Sequence, residues 1–410
     1  MTTQVARPGH EGAPLDGLPR ERSCPFAPPA AYRRIQAEEP VGRLTFPSGR
    51  VGWLVTGYDE VRAVLADTRF SSRRQAGTNP VRVMPPEAED ALSPQPGMFL
   101  LMDPPEHTRY RRLLTGQFTV RRMNALVPEI ERIVAEHLDA MARSERPVDL
   151  VQAYALPIPS MVICELLGVP YADRGQFQRW TAVLLALDTD WDTVRRTADE
   201  LKAYMLDLVR AKRRLPAEDL LSGLVHGGGG LTDEELVNMG NLLLIAGHET
   251  TANMLALGTL TLFRNPDQLA LLRADPALFD GAVDELLRYA SIIQFGLLRV
   301  ATDDVEVGGR WVRAGEPLVV AVAVANRDPE RFADGDRLDV TKKYSPHLAF
   351  GHGVHQCLGQ QLARVELKVG LRALLERFPT LRLAVPAEQL RMRDDMGIYG
   401  VHELPVTWDG

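Results

Sequence analysis

The stretch Phe350-Gly351-His352-Gly353-Val354-His355-Gln356-Cys357-Leu358-Gly359 isolates one cysteine between glycines, just ahead of an apolar-periodic segment. Glycines permit backbone with positive φ and let the chain approach a large flat ligand closely. The segment that follows predicts a helix whose first N–H groups point back at the sulfur, and such donors favour a thiolate. Cys357 is therefore a candidate thiolate ligand for a metal. The alternative is a small buried hydrophobic side chain.

Composition limits the class of protein. The chain has 410 residues, 45% of them hydrophobic, which is enough to bury a large core. The net charge of −7 is mild and gives no indication of a nucleic-acid partner. Cys24, Cys164 and Cys357 are too few and too far apart for a disulfide framework or a zinc site, which fits a reducing cytoplasm. Residues 1–40 lack an apolar run long enough for a signal peptide or membrane span, so we expect a cytoplasmic monomer without membrane association.

The pattern along the chain predicts a mainly α protein with a small β-rich part. Residues 1–30, rich in proline, glycine and arginine, are expected to form a flexible leader before one catalytic domain over residues 31–410. Alternation from Leu44 to Val55 predicts a hairpin, and residues 304–313 and 318–325 predict further strands. Long helical patterns dominate from Pro105 onward. The segment 71–97 has no clear period, and a loop of that length is usually a lid or a binding loop.

One predicted helix is unusually long. Thr232-Asp233-Glu234-Glu235 forms a capping box, and no helix breaker follows until Asn265-Pro266, which gives about 32 residues. Its middle reads Ala246-Gly247-His248-Glu249-Thr250-Thr251, where polar groups are costly unless something needs them. Gly247 removes a side chain where a ligand could lie against the helix. For a lone threonine the alternative is a hydrogen bond to the carbonyl four residues earlier.

These two motifs together resemble the cytochrome P450 family, in its soluble bacterial members of the actinomycete type. The segment around Cys357 resembles the haem-binding loop, although the family more often has arginine where this chain has His355. Glu249-Thr250 resembles the oxygen-activation segment. The resemblance runs from about residue 30 to the C-terminus, and it implies the cytochrome P450 fold with a long central helix and one haem b.

The resemblance also implies roles for individual residues. Cys357 would bind the iron, Glu249 would relay protons, and Thr250 would hold the oxygen being activated and a water. The remaining haem contacts would be Ala246, Gly247, Phe350, Gly351 and Gly359, with His107, Arg111, Arg299 and His355 on the two propionates. A buried structural triad would consist of Glu285, Arg288 and Arg331. The substrate pocket would be lined by Arg73 or Arg74, Val83, Leu242, Leu243, Ile292, Ile293, Phe295 and Ile398.

By resemblance, the protein would be a haem-thiolate monooxygenase that hydroxylates a hydrophobic small molecule with O2. Macrolides, secosteroids or steroids, statin-like polyketides and xenobiotics are the implied substrate classes. Electrons would come from a ferredoxin and its reductase, since the chain has no dinucleotide fingerprint and no iron–sulfur cysteine set. Arg109, Arg112 and Arg364 would offer the acidic electron carrier a positive docking face.

Two alternative functions remain open at this stage. A haem-thiolate enzyme could use peroxide directly or couple phenols, and the absence of the acid–alcohol pair would favour it. A haem sensor without enzymatic activity would also bind through cysteine. Such a sensor would have no use for Glu249-Thr250 or for a mobile lid.

Overall fold

The computed structural model describes residues 13–91, 94–343 and 346–409. Its helices are α1 (Ala31–Glu38), α2 (Tyr58–Ala66), α3 (Pro86–Ala91), α4 (Glu106–Thr115), α5 (Val120–Ala125), α6 (Val127–Arg143), α7 (Pro157–Leu167), α8 (Arg174–Leu185), α9 (Trp191–Arg214), α10 (Leu220–His226), α11 (Asp233–Arg264), α12 (Pro266–Ala274), α13 (Phe279–Ala290), α14 (Val322–Ala325) and α15 (Gln360–Arg377). Its strands are β1 (Leu15–Asp16), β2 (Val41–Thr45), β3 (Val51–Val55), β4 (Phe70–Ser71), β5 (Val148–Asp149), β6 (Leu297–Ala301), β7 (Val305–Val307), β8 (Arg310–Val312), β9 (Pro317–Val320), β10 (Arg382–Leu383) and β11 (Pro405–Thr407). The mainly α architecture with a small β part is confirmed.

Helix α11 is the predicted long helix, and the capping box opens it. Thr232 Oγ1 accepts from the Glu235 N–H at 3.2 Å, while the Glu235 side chain accepts from the Thr232 N–H at 2.7 Å. The helix runs for 32 residues and ends at Arg264, because Pro266 cannot continue the hydrogen-bond ladder. It packs against α7, α9, α13 and α15, so it forms the centre of the helical body.

The main sheet has six strands in the order β1-β2-β3-β9-β6-β4. The predicted hairpin is present as β2 and β3, which pair antiparallel from Val41 opposite Val55 to Thr45 opposite Val51. The strands predicted over residues 304–313 are present as β7 and β8, which pair antiparallel around Gly308 and Gly309, with φ of 54° and 76°. The strand predicted over residues 318–325 is only half right, since β9 ends at Val320 and α14 follows.

The N-terminal segment contacts the rest of the domain from residue 15 onward. Leu15 and Asp16 pair in parallel with Leu44 and Thr45 at the edge of the main sheet. Tyr399 Oη donates to the Pro25 carbonyl at 2.8 Å. Proline and arginine content alone could not reveal these contacts, and the flexibility of the leader stays a prediction. Residues 1–12 of that leader lie outside the described residues.

Two apolar clusters meet at the cysteine loop. The larger cluster surrounds α11, and the smaller one lies between the main sheet and α2. Leu348 belongs to the sheet-side cluster, whereas Phe350 and Leu358 pack against the helical one. The loop is thus fixed from both sides. Within the described ranges, none of the helices is both long and apolar enough to traverse a bilayer.

Candidate functional site

The cysteine loop folds back on itself ahead of α15. The Cys357 N–H donates to the Phe350 carbonyl at 2.8 Å. Gly351 and Gly353 have φ of 70° and 73°, the left-handed region that favours glycine. A Cβ at Gly353 would also lie 2.2 Å from the Leu65 carbonyl oxygen. Both the backbone conformation and the lack of space therefore require glycine at this position.

Gly359 does not have the positive φ that the sequence suggested. Its φ is −83°, and it precedes the first residue of α15. Its N–H lies close enough to the Cys357 sulfur to lower the pKa of the thiol. The backbone group that favours the thiolate therefore belongs to the residue before the helix.

The Cys357 thiol is reached by solvent from one side and surrounded by protein on the others. Burial raises its pKa, while the Gly359 N–H and the positive charges of Arg111 and Arg364 lower it. A thiolate is the form that binds iron, and these groups supply donors and positive charge for it. Cys164, by contrast, is buried among apolar side chains, and burial raises its pKa to about 12.

Helix α4 brings two predicted propionate partners to the loop. His107 and Arg111 are four residues apart on one face. The His107 ring lies 4.2 Å from the His355 ring, centroid to centroid, and Arg111 Nη2 donates to the Gln356 carbonyl at 2.6 Å. His107 is only 2% exposed, and neither of its ring nitrogens has a hydrogen-bond partner within the described structure.

Arg299, on β6, completes this group. It is 8% exposed, and burial lowers its pKa to about 10. Burial, together with the positive charges of His107 and Arg299, lowers the pKa of His355 to about 3. No acidic side chain described in the structure lies within 4.0 Å of Arg299. Buried cations and donors without an acid fit a ligand that brings its own carboxylates, and haem brings two.

On α11, Leu242, Ala246 and Thr250 follow one another at intervals of four residues, and all three retain solvent access. The Thr250 hydroxyl donates to the Ala246 carbonyl at 2.8 Å, which is the back-bond that a lone helical threonine commonly makes. Because that bond uses the single hydroxyl proton, the Thr250 oxygen faces any ligand as an acceptor.

Gly247 has a neighbour on the side where its side chain would be. A Cβ at Gly247 would come within 2.8 Å of the Ile163 side chain of α7. The glycine therefore makes room for a neighbouring helix, and its role as a haem contact stays a prediction. Leu243 is likewise buried in the helical core. Sequence alone could not tell which neighbour the missing side chain accommodates.

Glu249 is 3% exposed, and it is not a free acid. Its Oε2 lies 3.0 Å from Arg393 Nη2 and 3.3 Å from Asn253 Nδ2. His248 Nε2 lies 3.9 Å from the other carboxylate oxygen, and burial lowers the pKa of this histidine. The sequence analysis missed Arg393, because no local pattern connects a side chain to one 144 residues away.

The structural triad is only partly as predicted. Glu285 and Arg288 form a fully buried ion pair. Arg331 is exposed instead, with its guanidinium 5.3 Å from the Tyr58 ring, so its prediction as the third member is wrong. Lys342 Nζ takes that place, 3.2 Å from Glu285 Oε1. Arg331 follows the turn at Asp328, which directs its side chain away from the core.

The predicted pocket residues are not all gathered together. Ile292 is buried in the helical core, and Ile293 and Ile398 pack against it. Phe295 packs instead beside the main sheet, with the Arg20 guanidinium 5.5 Å from its ring, and it is not placed with them. Val83 is 65% exposed, and Arg74 is exposed as well. Arg73 pairs with Glu106 at 2.6 Å, so it already has an acidic partner.

Two of the three arginines predicted to dock an electron carrier have partners inside the molecule. Arg109 pairs with the buried Glu235 at the start of α11. Arg364 Nε donates to Asp284 at 2.9 Å, and its guanidinium lies 4.6 Å from the Phe350 ring. It thereby supports the cysteine loop. Arg112 is exposed and makes no ion pair with the described residues.

Comparison with known proteins gives concordant matches. The family model described as Cytochrome P450 matches residues 175–402. Cytochrome P450-SU2 of Streptomyces griseolus is 49% identical over 400 residues, covering 97% of this chain and 98% of the relative. Vitamin D3 dihydroxylase of Streptomyces griseolus is 45% identical over 412 residues, covering 100% of both. The crystal structure of CYP105P1 in complex with filipin I matches with a TM-score of 0.91 at 48% identity, covering 97% of this chain and 99% of that one.

The two relatives and the solved structure match nearly the whole chain, and the family model matches the part that includes the cysteine loop. Proteins of this kind bind haem b through a cysteine thiolate, and they use O2 and a redox partner on small-molecule substrates. The chain therefore belongs to the cytochrome P450 family and is a haem-thiolate monooxygenase of the CYP105 class.

Proposed function

We propose that this monooxygenase hydroxylates a hydrophobic small molecule of the macrolide, secosteroid or steroid, statin-like polyketide or xenobiotic classes. The observation that carries the proposal is the open face of α11, where Ala246 and Leu242 present apolar surface one and two turns before Thr250, respectively. An apolar pocket with few polar groups holds such molecules by burial. The names of two relatives, a vitamin D3 dihydroxylase and a filipin-bound CYP105P1, support large apolar substrates.

In this proposal Cys357 binds the haem iron, and His107, Arg111, Arg299 and His355 hold the propionates. When bound, haem activates O2 so that one oxygen atom enters a C–H bond and the other leaves as water. Two observations on the described residues support this assignment: neither ring nitrogen of His107 has a hydrogen-bond partner, and no acidic side chain lies within 4.0 Å of Arg299. A propionate can supply an acceptor to the histidine and a negative charge to the arginine. The Gly359 N–H, close to the Cys357 sulfur, would help to set the electron density on that sulfur.

Thr250 orients a proton donor beside the reacting oxygen. Its own hydroxyl proton is committed to the Ala246 carbonyl, so its oxygen accepts a hydrogen bond from water. A water held by Thr250 lies next to the oxygen that takes up protons during the reaction. Thr250 thus positions the proton-donating water and keeps its own hydroxyl proton.

Glu249 supplies that water with protons from solvent. A carboxyl group can do so only when it can turn towards Thr250, and the ion pair with Arg393 holds it away until then. The acid and the alcohol therefore have separate tasks. Together they direct two protons to one place.

In this proposal electrons reach the protein from a ferredoxin and its reductase in the cytoplasm, and the enzyme works as a monomer. Arg112 is exposed on α4, the helix that also carries His107 and Arg111. Of the three arginines in the predicted positive face, it is the one that remains available to an electron carrier. An acidic carrier would be attracted there by complementary charge.

The test is an optical titration of the purified ferric protein with vitamin D3, filipin I and a biphenyl, followed by reconstitution with a ferredoxin and its reductase. A saturable low-spin to high-spin shift, with one hydroxylated product for each pair of electrons consumed, is the expected result. Product formed only with added hydrogen peroxide would favour the peroxide-using alternative. A haem-loaded protein that makes no product with either oxidant, whatever binds, would contradict the proposal.

A further inference from the structure

The carboxylate of Glu249 is enclosed by groups from one helix and one distant loop. His248 and Asn253 belong to α11 itself, and each makes a second contact that holds it in place. His248 Nδ1 faces the Leu244 carbonyl at 2.9 Å, and Asn253 Nδ2 donates to the Glu249 carbonyl at 2.7 Å. Among the described residues, Arg393 alone reaches the carboxylate from outside the helix, and it is the one full positive charge that they place beside the acid.

Arg393 is itself buried, at 9% exposure, and its Nε has no partner within the described structure. Its place is fixed by the main chain of residues 391–402, which we call the C-terminal loop. The Arg393 N–H donates to the Gly400 carbonyl at 3.0 Å. A Cβ at Gly400 would lie 1.9 Å from Asn253 Oδ1, so the loop rests directly on α11 beside the acid.

The same loop is attached to the turn between α8 and α9, residues 186–190. The Leu187 N–H donates to the Asp395 carbonyl at 2.9 Å, and the Gly397 N–H donates to the Leu185 carbonyl at 2.8 Å. Arg82, from the segment predicted as a lid, donates to the carbonyls of Leu187 and Thr189. A continuous set of bonds therefore runs from the predicted lid through this turn to Arg393.

We propose that Arg393 is the positioning residue for Glu249, and that its loop makes the placement of this acid depend on the turn between α8 and α9. This inference rests on the proposed role of Glu249 in proton delivery. While the turn and the C-terminal loop are paired, Arg393 holds the carboxylate away from Thr250. When substrate shifts the turn, Arg393 moves with its loop and the acid is released towards Thr250.

The charge arrangement gives a direct spectroscopic test on the haem-loaded ferric protein. A buried carboxylate that loses its only cation takes up a proton. The difference infrared spectrum of Arg393→Met against the unmodified protein is therefore expected to show an additional carbonyl stretch of a protonated carboxylic acid, and this band should vanish in the double variant with Glu249→Gln. Arg393→Lys keeps the charge and is expected to show no additional band. A folded, haem-loaded Arg393→Met without the band would overturn the assignment.

The link to the turn is tested by amide hydrogen exchange, which needs no turnover. Glu249→Gln removes the carboxylate to which Arg393 is paired, so the C-terminal loop loses this attachment to α11. The Leu187 and Gly397 amides, which join the loop to the turn, should therefore exchange severalfold faster than in the unmodified protein. This variant also keeps the test valid if Arg393→Met does not fold. Arg391→Met is the matched control, because Arg391 is on the same loop but its side chain is 74% exposed. Unchanged exchange in Glu249→Gln would contradict the link.

These outcomes separate the inference from the proposed function. If Glu249→Gln retains full product formation per electron, the proton-delivery role fails, whatever the infrared band shows. If Glu249→Gln loses coupling but neither the band nor the exchange rates respond, only the role of Arg393 fails.

Discussion

Arg288 meets Glu285 at two points, Nε to Oε2 and Nη2 to Oε1, each at 2.7 Å, with neither side chain exposed. The remaining guanidinium donors go to the carbonyls of Asn326, Gly335 and Arg337 at 2.7–2.9 Å. All five donors are therefore satisfied, which is the condition under which a buried ion pair is tolerated. The pair joins α13 to the segment that leads towards the cysteine loop.

Removing one partner of this pair should be severely destabilising. We expect Arg288→Ala to lose about 3–5 kcal/mol of unfolding free energy, because it leaves the Glu285 carboxylate buried without its main cation. Arg331→Ala is the control, since Arg331 is exposed, and we expect a change within about 0.5 kcal/mol. Urea unfolding of the haem-loaded proteins measures both. Equal losses of unfolding free energy in the two variants would indicate that Arg331 belongs to the buried triad after all.

The cysteine loop should be intolerant of a side chain at Gly353. An alanine there must adopt a positive φ, which costs about 1–2 kcal/mol, and its Cβ would press on the Leu65 carbonyl. We expect Gly353→Ala to lose most of its bound haem, measured as the ratio of haem to protein after purification. Val354→Ala changes the adjacent, exposed residue and should keep its haem. Full haem content in Gly353→Ala would show that the loop can shift.

Local patterns predicted the parts of the structure that depend on neighbouring residues. The capping box at Thr232 and the proline at 266 gave both ends of α11, because helix ends are determined within one turn. The glycines at 351 and 353 marked the cysteine loop because their backbone angles are local as well. The family resemblance, and not periodicity, suggested the propionate partners.

What the sequence could not predict depends on contacts between distant segments. Lys342 replaces Arg331 beside Glu285, and Lys342 is 57 residues from that glutamate in the chain, so no local pattern indicates which cation reaches it. Gly247 accommodates Ile163, a choice set by how α7 crosses α11. Arg393 reaches Glu249 from a loop with no periodic pattern of its own. Sequence separation, and not residue type, limited the prediction in each case.

Glu366 on α15 gives a prediction for the pH dependence of stability. It is 1% exposed, its Oε2 has no partner among the described residues, and burial raises its pKa to about 8. An unfolded glutamate has a pKa of about 4.3, so between these values the folded state holds a proton that the unfolded state has released. This group therefore makes stability fall as pH rises through that window, and its effect levels off above it.

Glu366→Gln removes this titration while preserving shape. We expect its unfolding free energy to vary less with pH than that of the unmodified protein, with the difference growing from about pH 5 to about pH 8. Glu376→Gln is the control on the same helix, because Glu376 is exposed and paired with Arg372. Urea unfolding at three pH values measures the slopes. Parallel profiles for Glu366→Gln and the unmodified protein would mean that the buried carboxyl is ionised.

Two threonines of α11 separate a catalytic role from a structural one. Thr250 Oγ1 donates to the Ala246 carbonyl and Thr259 Oγ1 to the Leu255 carbonyl, each at 2.8 Å and four residues back. The two hydroxyls thus have the same effect on the helix, but only Thr250 retains solvent access, whereas Thr259 is 1% exposed. A defect specific to Thr250 cannot come from the back-bond.

We expect Thr250→Ala to keep haem and substrate affinity and to divert electrons from product to hydrogen peroxide, because no acceptor remains to hold the proton-donating water. Thr259→Ala should keep the product yield per electron of the unmodified protein. Reconstituted turnover, with peroxide and product measured in the same sample, makes the comparison. If Thr250→Ala stays fully coupled, its hydroxyl has only the helical role that Thr259 has, and proton positioning must come from elsewhere on the open face of α11.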